Sequence, residues 1–246
     1  MTKRFKIIVE YDGRPFAGWQ VQKNCPTVQE EIEKAIFEFS GEKLRIVSAG
    51  RTDAGVHALG QAASFDLEMN ITPKKLREAL NSTLRPNPIA ILEVKEVDKG
   101  FSARFSAKKR HYLYKIINRR PPLTFSKGQA WLIPLPLDHE KMHEGAQILV
   151  GRHDFTTFRN VKCQAKSAIK TLEKLEVARE GETINIRATA ESFLHNQIRS
   201  MVGALHLVGC GKWSLGDLGS ALEAKDRQRG GFNAPPDGLY FLKVDF

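Results

Sequence analysis

An arginine and a carboxylate stand two positions apart, Arg51 and Asp53, inside the run Gly50-Arg51-Thr52-Asp53-Ala54-Gly55-Val56-His57-Ala58-Leu59-Gly60. A loop aspartate is a candidate reacting carboxylate, and a guanidinium within a few ångströms favours its ionised form. The three glycines of the run permit a close approach between a substrate and the main chain. Apolar, strand-like stretches flank the run on both sides, Leu44 to Ala49 and Gln61 to Leu67, so the segment reads as strand, loop, strand, built to present a side chain. For an isolated Asp-Ala-Gly the simpler reading is a turn cap beside a surface ion pair.

Other chemistries fit the same residues less well. Gly50 and Gly55 have the spacing of a phosphate-binding loop, but Val56-His57 stands where Lys-Ser/Thr is required. His57 next to Arg51 and Asp53 suggests acid–base hydrolysis, yet no Ser or Cys nearby is placed as a nucleophile, so His57 reads as a packing histidine of the loop. His139-Glu140-Lys141-Met142-His143 matches the H-E-x-x-H pattern of zinc peptidases. Asp138 reads as the N-cap there, which puts His139 on an exposed first turn, and the third-ligand pattern of the metzincins is missing. A solvated amphipathic helix is expected, and no metal site.

Two further groups carry charge or aromatic surface. Tyr112 and Tyr114 alternate along a strand-like stretch directly after Lys108-Lys109-Arg110. Aromatic faces stack bases and flanking cations neutralise phosphates, which is how an RNA-binding surface is made; the plainer reading is a pair of sheet aromatics. Arg199 lies in an apolar helical stretch with Ile198, Val202 and Leu205, where a guanidinium needs a partner: an ordinary surface carboxylate or Asp53.

The elements that must position these residues follow from periodicity and punctuation. Phe5 to Tyr11 alternates as a strand. Thr27 and Glu30 form a capping box for a helix ending at Gly41, and Thr72-Pro73 opens a second helix reaching Asn81. Ile89 to Val97 and Lys109 to Asn118 read as strands, the latter closed by Pro121-Pro122. Asp138 caps a helix ending at Gly151, and Leu172 to Ala178 and Thr183 to Ala190 form a hairpin about Glu180-Gly181. A helix over His195 to Val208, a shorter one capped by Ser214 and Asp217, and a strand from Leu239 to Phe246 complete the chain. Strands interleaved with helices twice over predict two packed α+β lobes, 1–105 and 106–246, with a cleft between them.

The charge is +10 over 246 residues, and it is uneven: residues 1–105 carry 16 Lys+Arg against 14 Asp+Glu, and residues 106–246 carry 22 against 14. Such a bias predicts a polyanionic partner, nucleic acid before membrane, because no stretch approaches the ~20 apolar residues of a spanning helix. The start, Met1-Thr2-Lys3-Arg4-Phe5-Lys6, has neither the apolar core nor the cleavage site of a signal peptide, so a cytoplasmic protein is expected. Cys25, Cys163 and Cys210 lack metal-ligand or redox spacing and are expected as free thiols.

Read together, these segments resemble the tRNA pseudouridine synthase A family. The loop Gly50 to Ala58 resembles its signature. In the same order stand Glu10-Tyr11-Asp12-Gly13 with Gly18-Trp19-Gln20, Ala103-Arg104-Phe105-Ser106-Ala107 leading to Arg110-His111-Tyr112-Leu113-Tyr114, and Asp154-Phe155-Thr156-Thr157-Phe158. His195-Asn196-Gln197-Ile198-Arg199-Ser200-Met201-Val202-Gly203 and Ala234-Pro235-Pro236-Asp237-Gly238-Leu239-Tyr240 follow.

The resemblance implies two ferredoxin-like (RRM-like) lobes, with mixed, mainly antiparallel sheets, forming a basic cleft. It implies isomerisation of uridine to pseudouridine at positions 38, 39 and 40 of the tRNA anticodon stem-loop, with the nucleotide flipped out of its stack. One ionised carboxylate suffices for breaking the glycosidic bond and rejoining the base through carbon, so no cofactor is expected. By matching position, Asp53 is the nucleophile and Arg51 assists base displacement or contacts phosphate. Tyr112 stacks on the uracil, with its hydroxyl available as a base, Arg199 pairs with Asp53, and Leu239 makes an apolar contact below the uracil. Lys108, Lys109 and Arg110 are the candidate phosphate contacts, and tRNA and a second copy of the chain are the implied partners. The alternatives are a non-catalytic tRNA-binding or chaperone module on the same fold, and a carboxylate-dependent hydrolase, for which a second catalytic carboxylate is missing.

Overall fold

The protein is described from a computed structural model that covers residues 2–246. The first part of the chain runs β1 (Lys3–Tyr11), α1 (Val28–Ser40), β2 (Val47–Ser48), β3 (His57–Leu67), α2 (Pro73–Thr83) and β4 (Ile89–Val97). It continues through β5 (Lys109–Asn118), β6 (Trp131–Ile133), α3 (His139–Leu149), β7 (Gly151–Asp154), β8 (Ile169–Glu180), β9 (Thr183–Ala190), α4 (Gln197–Gly209), α5 (Leu215–Ala224) and β10 (Leu239–Asp245). The class is α+β, as the interleaved periodicities predict. Among the described residues no helix is long and apolar enough to cross a membrane.

The chain divides into two compact units. One comprises the chain up to Arg110 together with Tyr240–Phe246, and the other is His111–Leu239. The expected lobes 1–105 and 106–246 put the closing strand with the second lobe. The structure places it with the first, because β10 runs parallel to β3 with Tyr240 opposite His57 and Phe241 opposite Ala58. A pairing between residues so far apart in sequence leaves no trace in a local pattern.

In the first unit the strand order is β4-β1-β3-β10, with β2 on β3. β1 is antiparallel to both neighbours, and its alternation buries Phe5, Ile7, Val9 and Tyr11. Ile32 and Ile36 of α1 and Leu76 and Leu80 of α2 add to the same core. Thr27 accepts the Glu30 N–H at 3.4 Å, but the Glu30 carboxylate turns to Lys34, 3.2 Å away, so only half of the expected capping box forms. Gly41, at φ +74°, closes α1 in the left-handed region, where a residue with a Cβ is strained.

The second unit has the order β5-β9-β8-β7, with β6 parallel on β5. α3 packs on β8 and against α4 and α5. Here Ser214 and Asp217 do form the reciprocal capping box. Across the two units the pairings are mixed and mainly antiparallel.

Candidate active site

The loop bearing Arg51 and Asp53 is shorter than its composition suggests. β3 already begins at His57, so Ala58, Leu59 and Gly60 are strand residues, and β2 is reduced to Val47–Ser48. The reason for the first change is long-range: Gly60 lies against the main chain of β10, where a Cβ would sit 2.7 Å from the Leu242 carbonyl oxygen. The reason for the second is that the Ile46 N–H donates to Glu33 Oε1 at 3.0 Å instead of to a strand.

What remains, residues 49–56, is braced along its length. The Ala49 N–H donates to Ala62 O at 2.8 Å, and Gln61 Nε2 donates to Gly50 O at 2.8 Å. The Trp19 N–H reaches Thr52 O at 3.1 Å, the Gly55 N–H reaches Phe16 O at 3.3 Å, and the Val56 N–H closes back on Asp53 O at 3.1 Å. Inside the unit the Tyr11 hydroxyl and Thr52 Oγ1 are 2.8 Å apart. Such a buried bond contributes about 1 kcal/mol, and leaving either partner unmatched costs more. Burial, opposed by the hydrogen bonds to Thr52 and Gln61, holds the Tyr11 hydroxyl well above the ordinary tyrosine range, so it stays neutral.

The main-chain segment Asp12 to Gly18 forms the other wall. A Cβ on Gly13 would lie 2.1 Å from the Val56 carbonyl oxygen, and one on Gly18, at φ +107°, 2.5 Å from that of Thr52. The two glycines let two stretches of backbone touch. His57 is buried and stacks on Tyr240 with ring centroids 4.8 Å apart. Its Nδ1 is 3.1 Å from the Gly13 nitrogen and 3.2 Å from Asp12 Oδ1. These contacts and the stack on Tyr240 give the ring the packing role expected of it. Desolvation pushes the Asp12 carboxyl up, and the Arg14 side-chain and backbone hydrogen bonds, with His57 nearby, outweigh it and hold the group below its usual value. Tyr11-Asp12-Gly13 and Gly18 thus brace the Asp53 loop, a role that their residue types alone do not announce.

Against this rigid frame, Arg51 and Ala54 are exposed and Asp53 is partly buried. The brace therefore positions a carboxylate and a guanidinium toward the surface of the unit through backbone contacts.

The basic cluster separates into two kinds of residue. Lys108 and Lys109 are exposed. Arg110 instead directs its donors at main-chain carbonyls: Nε and Nη2 to Ala49 O at 3.1 and 2.9 Å, Nη2 also to Arg104 O at 2.9 Å, and Nη1 to Ala107 O at 3.0 Å. That grip ties the start of the Asp53 loop to the 104–107 turn. Its sequence neighbours made it look like a third phosphate contact.

The second unit holds Tyr112, Arg199 and Leu239. Tyr112 is buried in β5, its ring meeting Phe193 edge-on at 5.1 Å. Arg199 lies in the first turn of α4, which begins at Gln197 and not at His195, because Asn196 adopts φ +63° and Gln197 Oε1 accepts the Leu194 N–H. Arg199 Nε donates to Ala234 O at 2.7 Å, and the Ala234 N–H returns to Arg199 O at 2.9 Å. One turn on, Gly203 meets the same segment so closely that a Cβ would be 2.0 Å from Phe232 O. Tyr114 Oη donates to Pro235 O at 2.8 Å. Desolvation raises the Tyr114 hydroxyl far above its ordinary value despite the opposing charge of Arg199, so it remains a donor. Leu239 follows the 3-10 turn Pro236–Gly238 and is buried.

The H-E-x-x-H segment is helical as expected. Asp138 accepts the Lys141 N–H at 3.0 Å as N-cap, and His143 Nδ1 accepts the Val177 N–H at 3.3 Å. Among the described residues no group of three or more His, Cys, Asp or Glu is arranged to hold a metal ion.

Residues 7–106 and 146–246 match the family described as tRNA pseudouridine synthase. "tRNA pseudouridine synthase A" of Parvibaculum lavamentivorans is 55% identical over 243 residues, covering 99% of each chain. The protein of the same name from Methylocella silvestris is 57% identical over 243 residues, 99% of this chain and 98% of that one. A solved structure, "Crystal Structure of a Cbf5-Nop10-Gar1 Complex", overlays 82% of this chain and 45% of its own at 15% identity and a TM-score of 0.37, a level from which nothing follows. The resemblance read from the loop and its companion segments is thus borne out: the chain belongs to the tRNA pseudouridine synthase family.

Proposed function

We propose that this chain isomerises uridine to pseudouridine in tRNA, at positions 38, 39 and 40 of the anticodon stem-loop. The observation that carries the reading is the braced loop, in which backbone contacts hold residues 49–56 and present Asp53 beside Arg51. In this reading Asp53 is the nucleophile, attacking base or ribose while the glycosidic bond breaks. The uracil turns, its C5 bonds to the ribose in place of N1, the bond to Asp53 breaks again, and C5 gives up its proton while N1 gains one. No atom is gained or lost, so the reaction asks for no redox partner or group donor. Arg51, Tyr112 and Arg199 complete the catalytic set, and Leu239 supplies an apolar contact to the base. The partners in this reading are tRNA and a second copy of the chain, in the cytoplasm. Mapping pseudouridine in tRNA from a strain lacking this gene tests the whole reading. Loss at 38, 39 and 40 is expected, and an unchanged map overturns it.

Tyr112 acts through its ring. Tyr112→Phe keeps a face for stacking and the edge contact to Phe193, whereas Tyr112→Leu loses both. Product formation by the Leu variant is expected to fall at least tenfold below that of the Phe variant. Equal losses in single-turnover assays would transfer the role to the hydroxyl as a base.

Lys108 and Lys109 neutralise phosphates without reading sequence. Replacing both by Gln is expected to weaken binding across tRNAs and to flatten the log–log salt dependence by about two units. Arg110 is left in place, because its removal would disturb the loop. A salt slope equal to wild type would move the phosphate contacts elsewhere.

A further inference from the structure

Between Asp98 and Asp138 the chain carries nine Lys and Arg and not one Asp or Glu. Within that stretch, residues 101–107 form an arch whose main chain is firmly held. The Ala103 N–H donates to Ser64 Oγ at 3.1 Å, the Ser102 N–H to Ser106 Oγ at 3.1 Å, and the Ser106 N–H to Ser102 O at 2.8 Å. Arg4 grips Phe101 O at 2.9 Å, and Arg110 grips Arg104 O and Ala107 O. Ala103 and Ala107 face inward and are buried.

At the summit of this arch Phe105 is 81% exposed. Its ring meets the guanidinium of Arg104, 5.3 Å from the centroid. A large apolar side chain on a flexible tip would be unremarked. On an arch with this many fixed main-chain groups it is a pre-oriented aromatic face with no packing role. The cations beside it, Arg104, Lys108 and Lys109, are exposed as well. An exposed ring framed by cations in a stretch free of carboxylates is the chemistry that holds an unpaired nucleobase and its phosphates. The arch also has a fixed relation to the Asp53 loop, since the single Nη2 of Arg110 donates to both Arg104 O and Ala49 O.

We propose that Phe105, braced by Arg104, is a stacking seat for a base of the RNA substrate other than the uridine being isomerised. The inference rests on tRNA being the substrate; the target uracil is assigned to Tyr112, so Phe105 serves a second base of the same molecule.

The test uses the full-length chain and an unmodified tRNA transcript, with Phe105→Ala, Phe105→Leu and Phe105→Trp. Each variant is assayed for affinity by filter binding, for KM and kcat in pseudouridine formation, and for mass by sedimentation. Phe105→Ala and Phe105→Leu are expected to raise Kd and KM about tenfold with kcat at saturation within about twofold of wild type, while Phe105→Trp restores binding. Wild-type affinity in the Ala variant, or in the Leu variant, overturns the seat: the first removes any role for the side chain and the second makes apolar bulk sufficient. A change in mass on Phe105→Ala also overturns it, by assigning the ring to a contact between copies of the chain. If wild type forms no pseudouridine in any tRNA, the functional reading fails, whereas binding by the Phe105 variants still reads the seat, so the two failures are distinguishable.

Discussion

Replacing Asp53 by Asn is expected to yield a folded protein that binds tRNA and forms no pseudouridine. The substitution changes one oxygen to an amide nitrogen, and the hydrogen bonds that brace the loop around it come from the main chain of residues 49–56 and from Tyr11, Trp19 and Gln61. A neutral amide offers neither a nucleophile nor a negative charge. A fall in kcat of at least about a thousandfold is expected, some 4 kcal/mol on the barrier, with tRNA affinity within about threefold of wild type. Turnover within about tenfold of wild type, only ~1.4 kcal/mol, would remove Asp53 from the nucleophile role. Affinity that fell together with turnover would make the carboxylate a binding group.

The second large effect is expected far from any reacting atom in chemical terms, at Gly13. A methyl group there would stand 2.1 Å from the Val56 carbonyl oxygen, and backbone lies on both sides of the contact, so no side chain can swing aside. Gly13→Ala must therefore push apart the two stretches of chain that define the Asp53 loop. Displacement of a catalytic group by about 1 Å costs on the order of a hundredfold, and that is the loss in kcat expected here. Gly219→Ala in α5 is the matched control, because nothing lies within 4 Å of the added carbon. It is expected to leave activity unchanged and to raise stability by roughly 0.5–1 kcal/mol through helix propensity. Circular dichroism and thermal melts separate misfolding from misplacement. A Gly13→Ala enzyme with activity within tenfold of wild type would show that the wall is compliant.

What was legible in the chain was what short-range physics decides. Thr72 before Pro73, Asp138 three residues before Lys141, and Ser214 with Asp217 each announced a helix start that the structure contains. The alternation over Ile89–Val97 and Lys109–Asn118 gave those strands their observed limits. Arg51 and Asp53 stood out because an arginine and an acid among glycines are unusual in a loop. What was not legible depends on partners distant in sequence. The N-terminal end of β3 exists because β10 arrives beside it, and β7 is only four residues long and pairs with β8. Arg110 followed two lysines and was read with them, although four hydrogen bonds to carbonyls separate it from them in purpose. Gly13 and Gly18 carried no visible chemistry, since a glycine that permits contact between two backbones shows its reason only when the second backbone is in view.

The bracing of residues 49–56 also decides which molecule must yield when protein and RNA meet. A loop tied by carbonyls and amides along its length has little room to adapt, and little freedom left to lose. If Asp53 reacts as proposed, reorganisation falls on the nucleic acid, whose target nucleotide must leave its neighbours before it can reach a carboxylate held in a fixed loop. Were the targets the neighbouring stem positions proposed, the ordering of rates among them would belong to the helix being opened, weakest pair and stack first, and a loop of fixed shape would serve each uridine without being re-shaped for any of them.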